Sequence, residues 1–207
     1  YLCGGDTVLS KTLSFTITSI GFSKKIILRN KANLNDNIYV TGNLGDSYMG
    51  LKILKKEIAV NKNFKKYFIT KYYLPELHAV ISNKLLEFAN TSIDISDGLI
   101  SDLDKLINKQ KISYRISLND VPISKNLKKL IFLKKLNKTS FISKGDDYQV
   151  LFTASPSKSR IIKQISNSLG VKISKIGEIC SHSQKSQIID EKGKEIALKQ
   201  KGYFHQF

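Results

Sequence analysis

Four short motifs carry residues whose types and spacing suit metal and phosphate chemistry. The most pointed is Ile93-Asp94-Ile95-Ser96-Asp97-Gly98-Leu99. Apolar and polar residues alternate as far as Ser96, as in a strand, and Gly98 then releases the chain into a helical pattern. Carboxylates at such a strand-to-helix turn project from a sheet rim, where ligands bind in many α/β proteins. Asp94 and Asp97, with the Ser96 hydroxyl between them, offer hard oxygen ligands to Mg²⁺ and a contact to phosphate. A plainer role suits the same residues equally: Asp97 as cap of the following helix and Asp94 as a solvated turn residue.

The other three are less specific. In Gly4-Gly5-Asp6-Thr7 the glycines allow a backbone to approach phosphate and Asp6 offers a metal ligand, although on its own the pattern favours a plain Gly-Gly turn before a strand. Gly145-Asp146-Asp147-Tyr148 precedes an apolar strand; its carboxylates by default cap a turn, and they could also face a cationic or amino-bearing ligand. Thr41-Gly42-Asn43-Leu44-Gly45-Asp46 lacks the Gly-Lys-Ser/Thr ending of a P-loop and the Gly-x-Gly-x-x-Gly spacing of a dinucleotide fold. It reads as a strand-to-helix turn with Asp46 as the cap. No histidine stands in a local context that would activate a Ser or Cys nucleophile. Carboxylate, glycine and hydroxyl suit metal-assisted phosphate chemistry better than acyl transfer.

The elements that must position these residues alternate between strand and helix. Strands are predicted over Thr12–Ile20, Asn37–Thr41, Ser92–Ile95, Ile112–Leu118, Tyr148–Thr153 and Val171–Ile179, with a hairpin over Gln187–Leu198. Helices are predicted over Tyr48–Ile58, from Pro75 in a first turn to about Ala89, and over Gly98–Asn108, Lys125–Leu136 and Lys158–Leu169. This order predicts an α+β domain, a layered mixed sheet with helices, with no repeat and no linker. Residues 1–22 are expected to belong to a neighbouring domain and 23–207 to the main one. Tyr1 opens directly into a motif, so upstream sequence is expected.

Composition narrows the function classes. The net charge of +17 invites nucleic acid, but of 34 basic residues only Arg29, Arg115 and Arg160 are arginine, and lysine is spread along the chain. Base-reading proteins lean on the bidentate arginine fork, so nucleic acid is disfavoured, while a positive field still draws in phosphorylated small molecules. Cys3 and Cys180, and His78, His182 and His205, have no metal-type spacing. No apolar run is long enough for a membrane span, and the expected compartment is a reducing cytoplasm.

Taken in order, the motifs GGDT at 4–7, YVTGNLGDS at 39–47, IDISDGL at 93–99, GDDYQVLFT at 145–153 and the closing KGYFHQF resemble the thiamine-monophosphate kinases. That family belongs to the aminoimidazole-ribotide-synthetase-like ATP-binding superfamily. The resemblance implies that superfamily's C-terminal domain plus a remnant, 1–22, of its N-terminal ATP- and metal-binding domain. It implies transfer of the γ-phosphoryl group of ATP to thiamine monophosphate with Mg²⁺, giving thiamine diphosphate, in a homodimer when full length. By the same resemblance Asp6, Asp94 and Asp97 bind Mg²⁺, and Gly5, Asp6, Arg29 and Ser96 contact ATP. Asp146 and Tyr203 contact the thiamine phosphate. No residue is expected to act as a covalent catalyst. Lys144, Gln149 and Asn33-Leu34-Asn35 depart from the family pattern without removing a ligand. Two alternatives stay open: a catalytically inactive fragment or paralogue that binds nucleotide, and a basic nucleic-acid-binding module. The segment by itself is expected to be inactive.

Overall fold

β1 (Asn37–Thr41) is buried along its whole length because each of its faces has its own cover. Successive side chains of a strand point to opposite faces. Ile38 and Val40 pack in one cluster with Leu99, Leu103 and Leu106 of α4 (Leu99–Ile107), while Tyr39 packs in another with Ile162 and Ile165 of α7 (Ser159–Leu169). The sheet is therefore sandwiched between helices. The structure, a computed structural model, describes residues 3–23, 25–198 and 200–203.

The remaining elements are α1 (Asp46–Leu54), α2 (Lys62–Tyr73), α3 (Ser82–Leu85), β2 (Thr91–Ile95), β3 (Ile112–Ser117), α5 (Lys125–Lys134), α6 (Thr139–Ile142), β4 (Gln149–Ala154), β5 (Ile173–Ser181) and β6 (Gln187–Ile189). Six strands form one sheet in the order β2-β4-β1-β5-β3-β6. All neighbours are antiparallel except β3 and β6, which run parallel. The fold is α+β with a mixed sheet, as the element order predicts. A third apolar cluster joins α1, α2, α5 and α6 through Met49, Phe68, Leu127 and Phe141. Among the described residues no helix is long and apolar enough to cross a membrane.

Three expectations need correction. Thr12–Ile20 alternates like a strand, yet residues 3–23 take up no regular element, and Leu13, Phe15 and Ile17 are 83–88% exposed. A strand is held by hydrogen bonds to a neighbour, and no described residue offers this segment a ladder. The helix expected from Pro75 to Ala89 is broken into a 3-10 turn, Ala79–Ile81, and the single turn of α3. The longer helix here is α2, upstream of Pro75; Asn61 caps its start by accepting the Phe64 N–H at 3.0 Å. Its end comes at Leu74 (φ −132°, ψ 74°), which Pro75 drives out of helical geometry. The expected hairpin over Gln187–Leu198 reduces to β6 and one antiparallel bridge, Ile189 to Glu195, because β6 is paired with β3 instead.

Candidate active site

Ser96, Asp97 and Gly98 form the turn between β2 and α4. All three backbone N–H groups donate to a single oxygen, Asp102 Oδ2, at 2.9–3.1 Å. The Asp102 side chain is only 1% exposed. From the first turn of α4 it reaches back to hold the loop that leads into the helix, satisfying three backbone N–H groups that the strand and the helix leave over. Asp97 does not cap α4, whose N-cap residue Gly98 has no side-chain cap, and its own side chain is half-buried at 22% exposure. Its carboxylate pairs with the Lys105 ammonium, which also bonds Asp102 Oδ1 at 2.8 Å.

The second motif docks onto the first. Asp146 donates its N–H to the Ser96 carbonyl and Tyr148 donates to the Ile95 carbonyl, each at 2.9 Å, and the ladder continues with Ile95 opposite Gln149. Gly145 permits this approach, since a Cβ there would lie 1.6 Å from Ser96 O. Asp146 (φ 66°) and Tyr148 (φ 51°) are both left-handed, a conformation that costs a non-glycine residue about 1 kcal/mol. Such outliers gather at functional sites, where surrounding bonds impose them. A third strand of chain closes the ring: Tyr203 donates to the Asp97 carbonyl at 2.9 Å, and Gly202 lies so close to Ser101 that a Cβ would meet its side chain at 2.3 Å.

These segments enclose a cavity of about 890 Å³. Ser96, Asp97, Asp146 and Tyr203, all expected from the sequence, line it together. Asp94, exposed on β2, is near enough to Tyr148 to help raise its phenol, after burial and the charge of Asp146. Asp146 is itself raised, first by burial and then by the charge of Asp97. Gly5 and Asp6 lie in the exposed 3–23 segment, and Asp6 Oδ1 accepts the Thr7 N–H. Arg29 is exposed, and the adjoining Asn30 bonds the Leu106 carbonyl at the far end of α4 from Ser96. Among the described residues no three His, Cys, Asp or Glu side chains converge as a metal group.

The cavity also holds residues that are not among the expected site residues. Tyr48, Tyr72 and Tyr148 add three rings to Tyr203, and Lys55 and Lys144 add two ammonium groups. Tyr148 was visible inside its motif. Tyr48 and Tyr72 were not, because only the packing of α1 against α2 brings them together. Asp46 is another correction. It is not a cap: the helix opens on left-handed Gly45 without a side-chain cap, and the buried Asp46 carboxylate accepts from Ser124 Oγ at 2.7 Å and Tyr67 Oη at 2.9 Å. Asp147 points inward too, accepting the Gly45 N–H at 2.8 Å, and burial pushes its carboxyl well above the usual range.

Set beside known proteins, the chain is 37% identical over 211 residues to thiamine-monophosphate kinase of Buchnera aphidicola subsp. Acyrthosiphon pisum, covering 99% of this chain and 63% of that one. The chain is a relative of the thiamine-monophosphate kinases. It thus spans less than two thirds of the length of the kinase it matches. The crystal structure of thiamine-monophosphate kinase from Stenotrophomonas maltophilia superposes with TM-score 0.71 at 23% identity, over 82% of this chain and 54% of that one. AaThiL complexed with AMPPCP and TMP superposes with TM-score 0.69 at 26% identity, over 86% and 54%. No protein-family model matches the chain.

Asp97 and Asp146 bring two carboxylates to one cavity, the oxygen donor type that a hard divalent cation takes, and Asp97 is held there in an ion pair with Lys105.

Proposed function

We propose that this chain provides the acceptor-binding part and some of the metal ligands of a thiamine-monophosphate kinase, which phosphorylates thiamine monophosphate to thiamine diphosphate with ATP and Mg²⁺. One arrangement carries this reading: Ser96 and Asp97, expected at ATP and metal, open onto the same cavity as Asp146 and Tyr203, expected at the thiamine phosphate. Phosphoryl transfer needs the two substrates in line and their charge neutralised, and one shared cavity meets the first need.

The lining fits an acceptor that carries both signs. Tyrosine faces and the Asp146 carboxylate attract a cationic heterocycle, and Lys55 and Lys144 attract its phosphate. Asp94 and Asp97 would hold Mg²⁺, joined by Asp6 once residues 3–23 are brought over the site; bound there, the ion would neutralise phosphate oxygens. Gly5 and Arg29 would reach ATP only in that fuller assembly. We further propose a division at residue 22, with 1–22 part of a neighbouring domain, supported by the lack of regular elements in 3–23. Function as a homodimer in the cytoplasm belongs to the same proposal.

The test is thiamine diphosphate formation from ATP and thiamine monophosphate by the full gene product, including any sequence that its gene carries upstream. Product is expected with Mg²⁺, and none without it. A folded protein that forms no product refutes the kinase function and favours an inactive paralogue. Nucleic-acid binding that survives physiological salt would favour the basic module instead.

A further inference from the structure

We infer that Lys105 is a built-in counter-cation for Asp97, holding that carboxylate ready until a divalent ion takes over its charge, and that it thereby sets the metal affinity of the site. The inference rests on the proposed metal role of Asp97.

Lys105 lies on α4, two turns beyond the Ser96–Gly98 loop, and its ammonium bridges Asp97 Oδ2 and Asp102 Oδ1. Asp102 does two things at once: Oδ2 holds the three loop amides, and Oδ1 holds the lysine. The loop backbone and the Asp97 side chain are thus tied to one anchor. Asp97 lies close enough to Asp146 for its charge to help raise that carboxyl, after burial, and the Lys105 ammonium offsets part of this repulsion.

An ammonium and a divalent ion compete for the same lone pairs on Asp97, and they repel one another. Loading therefore displaces Lys105 from Asp97. The displacement is inexpensive, because the Lys105 side chain is 38% exposed and Asp102 Oδ1 still holds it at 2.8 Å.

The experiment is Mn²⁺ titration of the full gene product, reading free Mn²⁺ by electron paramagnetic resonance. Lys105→Met and Lys105→Gln remove the competing charge and are expected to tighten Mn²⁺ binding about twofold to fivefold, the worth of a partly exposed ion pair. Lys105→Arg keeps the charge and should bind as the parent does. Unchanged or weaker binding in both neutral variants, with melting curves showing them folded, overturns the counter-cation role. Asp97→Asn separates the two ideas. Should it bind Mn²⁺ as well as the parent, Asp97 is no ligand, and both the metal assignment and the role of Lys105 fall.

Discussion

Asp146 donates its backbone N–H to the carbonyl oxygen of Ser96 at 2.9 Å, so the turn expected at the acceptor and the turn expected at the metal are one hydrogen-bonded unit. Their side chains are placed by the same few backbone contacts, and damage to those contacts should disturb both functions together.

Gly145→Ala is the most direct way to break this unit. The new Cβ would stand 1.6 Å from Ser96 O, and the obstacle is backbone, which cannot swing aside. The variant should lose about 3 kcal/mol of stability, with thiamine monophosphate and Mn²⁺ binding weakened in parallel. Calorimetric melting and two titrations check this; loss of only one ligand would show that the turns are independent.

Asp102→Ala removes the acceptor of three loop amides in a buried position. A loss of about 3 kcal/mol is expected, with Lys105 left facing Asp97 alone. Denaturant unfolding measures it, and a loss below about 0.5 kcal/mol would mean that water replaces the carboxylate.

Asp94→Asn and Asp97→Asn keep the shape of each side chain and remove its charge. Each should lower turnover in the full gene product by about two orders of magnitude while leaving the melting temperature nearly unchanged. Rates equal to the parent's would refute their metal role.

Asp147 makes a pH-dependent prediction. Its carboxyl is pushed by burial well above 3.8, the ordinary value that it regains on unfolding. Between these values the folded chain keeps a proton that the unfolded chain has released, so stability falls as pH rises across that window. Asp147→Asn, which retains an oxygen for the Gly45 N–H, should flatten the slope from pH 4 upward. Melting temperatures of both proteins over that range decide it; parallel curves would show that Asp147 ionises freely in the fold.

Sequence periodicity was enough to locate β1, β2, β4 and α4, because their apolar residues repeat at strand or helix spacing and both sheet faces are covered. That Ser96, Asp97 and Asp146 would stand together followed from the ordered motifs that resemble the kinases, since the local pattern of each motif left a plain turn or cap open, and the structure brings the three to one cavity. Thr12–Ile20 misled for a physical reason: alternation reports a capacity to pair, and pairing needs a neighbour. Asp46, Asp102 and Lys105 were hidden for the opposite reason. The inward turn of Asp46 depends on Ser124 and Tyr67, and the grip of Asp102 on the loop depends on the geometry of a turn that sequence spacing alone does not specify.

The left-handed backbone at Asp146 sets two selective pressures against each other. Glycine would adopt φ 66° without strain, so random mutation screened for heat resistance alone should drift toward glycine at this position. Such a drift would discard the carboxylate that faces the cavity. Thermostability is therefore a poor guide for engineering this protein, and position 146 is best held fixed in any library.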